Sequence, residues 1–138
     1  MRLGVIATSD LDLCTNLRKL LPVWNINSFG EMFLQKLSKY RKDYLASCSA
    51  FVNERNRFLS ILQEIPDIYV FPSQANYFMI KIMNQKSAGE LTEGLLKFNI
   101  LIRDLSGKIG IDSDKYVRVA IRSPEDNDAL VFALKQLI

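Results

Sequence analysis

Residues 116–127 read YVRVAIRSPEDN, a strand pattern that runs directly into the start of a helix. Apolar and polar side chains alternate through its first seven residues, which predicts a half-buried β-strand. The inward face would hold Val117, Val119 and Ile121, and the outward face Arg118, Ala120 and Arg122. The serine, proline and glutamate that follow predict a helix with proline at its first position. This stretch therefore predicts a helix packed on a sheet, in the α/β fold class.

The sequence before this stretch predicts the rest of one small sheet. Two strands are predicted at residues 68–71 and 77–82, separated by a turn over residues 72–76. Residues 100–103 form a third apolar run and are predicted as another strand. From residue 68 onward we therefore expect a small sheet with helices packed on it.

Three more helices are predicted from capping residues and apolar spacing. Residues 87–98 open on a Ser-x-x-Glu capping box, and residues 10–21 open on an aspartate cap. The apolar spacing from residue 28 to residue 65 predicts one long helix, with residues 47–49 as the place where a kink would fall. A helix of that length is typical of an element that links two domains.

The first residues form an apolar run that predicts a buried strand over residues 2–8. A buried strand needs neighbours on both sides, and this one opens the chain without a preceding turn. We therefore expect that residues before Met1 have been removed from a longer protein.

Composition excludes several classes of protein. The chain has 138 residues, 49% of them hydrophobic and 24% charged, with a net charge of +3. These values favour a globular domain and exclude disorder and a membrane span, so a cytoplasmic protein without a nucleic-acid partner is expected. Histidine is absent, which excludes Ser-His and Cys-His catalytic pairs. Cys14 and Cys48 are far apart in sequence and are predicted to be buried thiols, with no metal site.

The arginines of the predicted sheet are the candidate functional residues. Arg118 and Arg122 share one face of a strand, and Arg103 ends another. A guanidinium fork suits a carboxylate or a phosphate, so these residues favour an anion-binding site. The alternative is that they pair with the protein's own acids, such as Asp104, or simply face water on an exposed sheet.

The order of five motifs resembles a known family. They are Arg-Leu-Gly at residues 2–4, PVWNIN at 22–27, PSQANYF at 72–78, ILIRD at 100–104 and the stretch at 116–127. Together they resemble the C-terminal part of fold-type I aminotransferases that depend on pyridoxal 5'-phosphate (PLP), in the branch of histidinol-phosphate aminotransferase and threonine-phosphate decarboxylase. The resemblance covers essentially the whole chain.

This resemblance implies roles for individual residues. Arg2 matches an arginine that contacts the phosphate of the cofactor. Arg103 and Arg118 match arginines that bind the carboxylate or phosphate of the substrate. The asparagines Asn25 and Asn27 border the active site as second-tier candidates, and Arg122 ranks below the other two sheet arginines.

The resemblance also implies a domain arrangement. Residues 1–27 would be the last part of the large PLP-binding domain, and residues 28–138 the small C-terminal domain with its long linking helix. The Schiff-base lysine of the family has no counterpart here, so this chain alone should be inactive. The parent enzyme would be a homodimer with an N-terminal large domain and an anionic small-molecule substrate.

Two questions stay open at the level of sequence. Transamination and decarboxylation use the same arginines, so the motifs do not choose between them. The chain could also be a free-standing module that binds an anion or forms a dimer without catalysis.

Overall fold

The computed structural model describes residues 3–111 and 113–138. Within the described residues the chain forms five helices and one four-stranded sheet, which confirms the α/β prediction. It divides into two compact units, Met1–Cys48 and Ser49–Ile138.

The first unit opens with an irregular segment and a short helix. Helix α1 spans Leu11–Leu20 and begins after Asp10, whose side chain accepts a hydrogen bond from the Leu13 N–H at 2.9 Å. The prediction of a strand over residues 2–8 is wrong for its described part, because residues 3–8 form no strand and are mostly exposed. No neighbouring strand among the described residues accepts or donates the backbone hydrogen bonds that a strand needs.

The long helix predicted from residue 28 to residue 65 is in fact two helices. Helix α2 spans Ser28–Leu37 and helix α3 spans Arg41–Gln63, while residues 47–49 lie inside α3 without a break. At the break, the Lys36 carbonyl accepts hydrogen bonds from both Lys39 and Tyr40. The apolar spacing of the sequence continues across this turn and therefore gives no sign of the break. Phe33 before the break and Tyr44 after it still meet edge to face.

The cysteine prediction is also corrected by the structure. Cys48 is exposed on α3, and Cys14 on α1 is only half-buried. Both thiols are free. Cys48 follows Tyr44 by one helical turn, which places its sulfur within hydrogen-bond reach of the phenol, and this bond raises the pKa of Tyr44.

The second unit is built on an antiparallel sheet. Its strands are β1 (Ile68–Val70), β2 (Tyr77–Ile82), β3 (Arg103–Asp104) and β4 (Tyr116–Ala120), in the spatial order β1-β2-β4-β3. Strands β1, β2 and β4 lie where the sequence predicts them. Strand β3 is shorter and later than the predicted 100–103, because Ile102 turns into the core and only the next two residues pair with β4.

Two helices of this unit begin as predicted. Helix α4 (Ala88–Leu96) opens on the Ser87 and Glu90 capping box, and helix α5 (Pro124–Leu137) opens on Ser123 with proline at its start. Glu90 accepts hydrogen bonds from the Ser87 backbone and hydroxyl, and these bonds lower the pKa of the Glu90 carboxyl.

The core lies on one face of the sheet. It joins side chains of α3, α4 and α5 to the inward residues of β2 and β4, among them Phe58, Leu91, Leu134, Phe78 and Val119. Burying one such side chain contributes about 1.5–3 kcal/mol to folding. The opposite face of β4 carries Arg118 and Ala120, which are exposed, so the predicted inward and outward faces are confirmed.

No helix in the described ranges combines the length and the apolar character required to cross a lipid bilayer.

Candidate functional site

Arg103 and Arg118 face each other across two paired strands. They are register partners on the antiparallel strands β3 and β4. Directly opposed residues of an antiparallel pair project to the same face of the sheet, and both side chains are exposed there. They line an open cavity of about 300 Å³ with Leu101, Ile102 and Ala120.

The two guanidinium groups have no carboxylate partner among the described residues. The ion pairs of that part of the chain involve Arg57 and Arg122 instead. Asp104, the acid next in sequence to Arg103, accepts a hydrogen bond from the Ser106 backbone at 2.7 Å. Like charges opposed on a sheet repel each other, so an anion between the two arginines would relieve that repulsion.

The ring of Tyr77 supports Arg118. The guanidinium carbon of Arg118 lies over this ring, 5.0 Å from its centroid. Tyr77 is on β2, and its register partner on β4 is Ala120, two residues from Arg118 on the same face. Sequence reasoning missed Tyr77. The alternation of β2 places it on the outward face, but only the register of β2 with β4 brings it to Arg118.

Arg122 is not part of this pair. Its Nε donates a hydrogen bond to the Asp126 carboxylate at 2.8 Å. The Arg122 guanidinium holds the pKa of Asp126 below its usual value. Arg122 is therefore already neutralised by an acid of its own chain.

A polar cluster around the buried Asn127 holds the end of β4, and sequence reasoning did not find it. Asn127 is 1% exposed, accepts a hydrogen bond from the Arg122 N–H at 3.0 Å and donates one to Glu54 at 2.7 Å. Arg57 bridges Glu54 and Asp128, with both ion pairs at 2.8 Å. The hydrogen bond from Arg57 has the largest effect on the pKa of Glu54 and lowers it. The hydrogen bond from Asn127 lowers this pKa further, although partial burial raises it. Hydrogen bonds to Glu54 and Asp128 raise the pKa of Arg57.

The remaining sequence candidates belong to the first unit. The Asn27 side chain caps α2, because its oxygen accepts a hydrogen bond from the Gly30 N–H at 2.8 Å. Asn25 lines a cavity of about 410 Å³ near Cys14. Arg2 lies outside the described residues, so its predicted contact with a cofactor phosphate stays a prediction.

Comparison with known proteins identifies the family. The model of the aminotransferase class I and II family matches residues 1–134, and the chain belongs to this family. This match confirms the resemblance carried by the five motifs.

Three relatives illustrate which proteins of the family this chain is similar to. The chain is 34% identical to CMP-5'-(3-aminopropyl)phosphonate synthase of Streptomyces rubellomurinus, over 100% of this chain and 22% of that protein. It is 33% identical to L-serine phosphate decarboxylase of Sulfurospirillum multivorans, over 84% and 30% of the two chains. The crystal structure of histidinol-phosphate aminotransferase from Clostridium acetobutylicum superposes with a TM-score of 0.78 at 31% identity, over 94% and 38%. The chain thus spans well under half the length of each of these relatives.

Proposed function

We propose that this chain is the C-terminal part of a PLP-dependent enzyme, and that Arg103 and Arg118 bind the anionic group of its substrate. The observation that carries the proposal is the pair of opposed guanidinium groups, which lack a carboxylate partner among the described residues. Each can offer two parallel N–H donors to the oxygens of one anion.

A phosphate or phosphonate is the anion that we propose for the substrate. The names of the three relatives each include one of these groups. A phosphate or phosphonate has three anionic oxygens, whereas a carboxylate has two. The larger group suits two guanidinium forks better, because each fork can then bond to two oxygens. We therefore propose a phosphorylated or phosphonylated amine or amino acid as the substrate class.

We propose that this chain contributes only part of the PLP site of the complete protein. No lysine lines the cavity between Arg103 and Arg118, and no carboxylate lines it for a pyridine nitrogen. When bound to the complete protein, PLP supplies the electron sink that this chemistry needs. The part we assign to this chain is to bind and orient the substrate through its anion.

The proposed parent enzyme has the arrangement that the resemblance implies. Residues 1–27 complete a large N-terminal domain that carries the Schiff-base lysine, and residues 28–138 form the small domain. In that enzyme Arg2 contacts the cofactor phosphate, and two copies form a dimer in the cytoplasm. Without the large domain, we expect no transaminase or decarboxylase activity from this chain.

The experiment compares a phosphorylated amino acid with its unphosphorylated counterpart in the complete protein. O-phosphoserine and serine are assayed with the wild type, Arg103→Ala and Arg118→Ala, with Lys135→Ala as a control for the loss of an exposed positive charge. We expect both arginine variants to lose preference for the phosphorylated compound and the control to keep it.

The dimerising module makes the opposite prediction, whereas a free-standing module that binds an anion would use the same arginines. If Arg103→Ala and Arg118→Ala together leave ligand binding unchanged, the arginine pair is not the anion site and the proposal is wrong.

A further inference from the structure

We infer that Tyr77 is a positioning residue for the substrate anion, acting through the orientation of Arg118. This inference rests on the proposed function, because it assumes that Arg118 binds the anion. The supporting contact is the 5.0 Å approach of the Arg118 guanidinium carbon to the centroid of the Tyr77 ring.

The sheet register explains why the ring meets this arginine. Arg118 has Met79 as its partner on β2 and Arg103 as its partner on β3. Tyr77 lies one outward position along β2 from Met79, opposite the small side chain of Ala120. The ring therefore has room to lie against the guanidinium group, on the same face as Arg103.

An aromatic partner holds the arginine without using up its charge. A cation is attracted to the face of an aromatic ring, whereas the guanidinium N–H donors point outward in its own plane. The plane thus keeps donors for a second, anionic partner. Arg122 illustrates the other case, because its Nε is already bonded to the Asp126 carboxylate at 2.8 Å.

The ring also reduces the freedom that Arg118 must lose when it binds. An exposed arginine samples many rotamers, and fixing one of them opposes ligand binding. A contact that exists before the ligand arrives lowers this cost. Removing the ring should therefore weaken anion binding while leaving the guanidinium group itself in place.

The test measures the dissociation constant of inorganic phosphate by calorimetry. It uses the complete protein loaded with cofactor, so that the site for the cofactor's own phosphate is filled. The variants are Tyr77→Phe, Tyr77→Trp and Tyr77→Leu, with Arg118→Ala and Arg103→Ala as references. The melting temperature of each variant is recorded alongside.

The expected result follows from the strength of an exposed cation–π contact. Tyr77→Leu should weaken phosphate binding about two- to five-fold, whereas Tyr77→Phe should bind like the wild type. Tyr77→Trp should bind at least as tightly, because indole is the strongest cation–π partner. If Tyr77→Leu fails to fold, the inference still requires Phe to match the wild type and Trp to match or exceed it.

The outcomes separate this inference from the proposed function. If Arg118→Ala abolishes phosphate binding and Tyr77→Leu leaves it unchanged, the inference is overturned and the proposed function stands. If Tyr77→Phe weakens binding as much as Tyr77→Leu, the hydroxyl and not the ring is responsible, and the inference is again overturned. If neither arginine variant changes the affinity, both the proposed function and this inference are wrong.

Discussion

The side-chain amide of Asn127 donates a 2.7 Å hydrogen bond to the carboxylate of Glu54, a residue 73 positions earlier in the chain. The same amide group donates to the Arg122 carbonyl, and its oxygen accepts from the Arg122 N–H. Asn127 thus connects α3 and α5 to the segment that leaves β4. The strand that presents Arg118 is tied to the helical layer at this point.

Replacing Asn127 with leucine should destabilise the protein by about 1–3 kcal/mol, because partly buried polar groups of Arg122 and Glu54 would each lose a hydrogen bond. The midpoint of urea denaturation measures this loss. Asn56→Leu, at an exposed position of α3, is the matched control and should change the midpoint little. Equal midpoints for the two variants would contradict the role given to Asn127.

Stability should fall in acid partly through Glu54. Its pKa is lowered in the folded state, so its contribution is present above the unfolded value of about 4.3 and is lost as pH falls through the lower folded value. Measuring the free energy of unfolding between pH 7 and pH 3 tests this. Glu54→Gln should be less stable than the wild type at neutral pH and should show a shallower decline below about pH 4.3. Parallel curves would rule out the linkage.

Arg118→Lys should raise the KM for a phosphorylated substrate in the complete protein. Lysine keeps the charge and loses the two-pronged fork, which corresponds to about 1.5–3 kcal/mol for a hydrogen bond to a charged group. Steady-state kinetics provide the measurement. Arg41→Lys, the same exchange at an exposed position of α3, is the control. An unchanged kcat/KM for Arg118→Lys would count against the assignment.

Arg122 should contribute little to anion binding. Its guanidinium group is paired with Asp126, so Arg122→Ala should change the phosphate dissociation constant less than two-fold, below the effect of one exposed charge contact. The informative variant is Asp126→Asn, which frees Arg122. If Arg122 did belong to the anion site, Asp126→Asn would tighten phosphate binding, and that result would restore it as a candidate.

Asn27→Ala should lower stability without changing phosphate affinity. The side chain caps α2 through the Gly30 N–H, and loss of such a cap costs about 0.5–2 kcal/mol. Thermal denaturation and phosphate titration are measured on the same variant. A large change in phosphate affinity with normal stability would show that Asn27 contacts the ligand, beyond the place at the border of the active site that the family resemblance implies.

The elements that the sequence predicted well are those specified by local signals. Strand β4 has strict alternation, and α4 and α5 begin at serine caps with their partner residues nearby. These interactions span only a few residues, so the sequence alone contains the information. The break at residues 38–40 was missed because it changes the backbone hydrogen bonds without changing the apolar spacing.

The candidate site was predicted only as a set of residues. Residue type and the family resemblance predict Arg103 and Arg118 as site residues. Their position directly opposite each other depends on the pairing of β3 with β4. The contact of Arg118 with Tyr77 depends on a second register, that of β2 with β4. Such long-range registers follow from the packing of the whole sheet, and no local pattern encodes them.

Strand β3 is an edge of the sheet and has only two residues, and β1 at the other edge has three. An exposed edge strand can recruit a strand from another molecule, and short strands with charged side chains suppress such aggregation. Arg103 therefore combines two properties, since the charge proposed to attract a ligand also discourages β-strand addition by a neighbouring molecule. A neutral apolar residue at this position would lower solubility as well as affinity, so the two effects need separate assays.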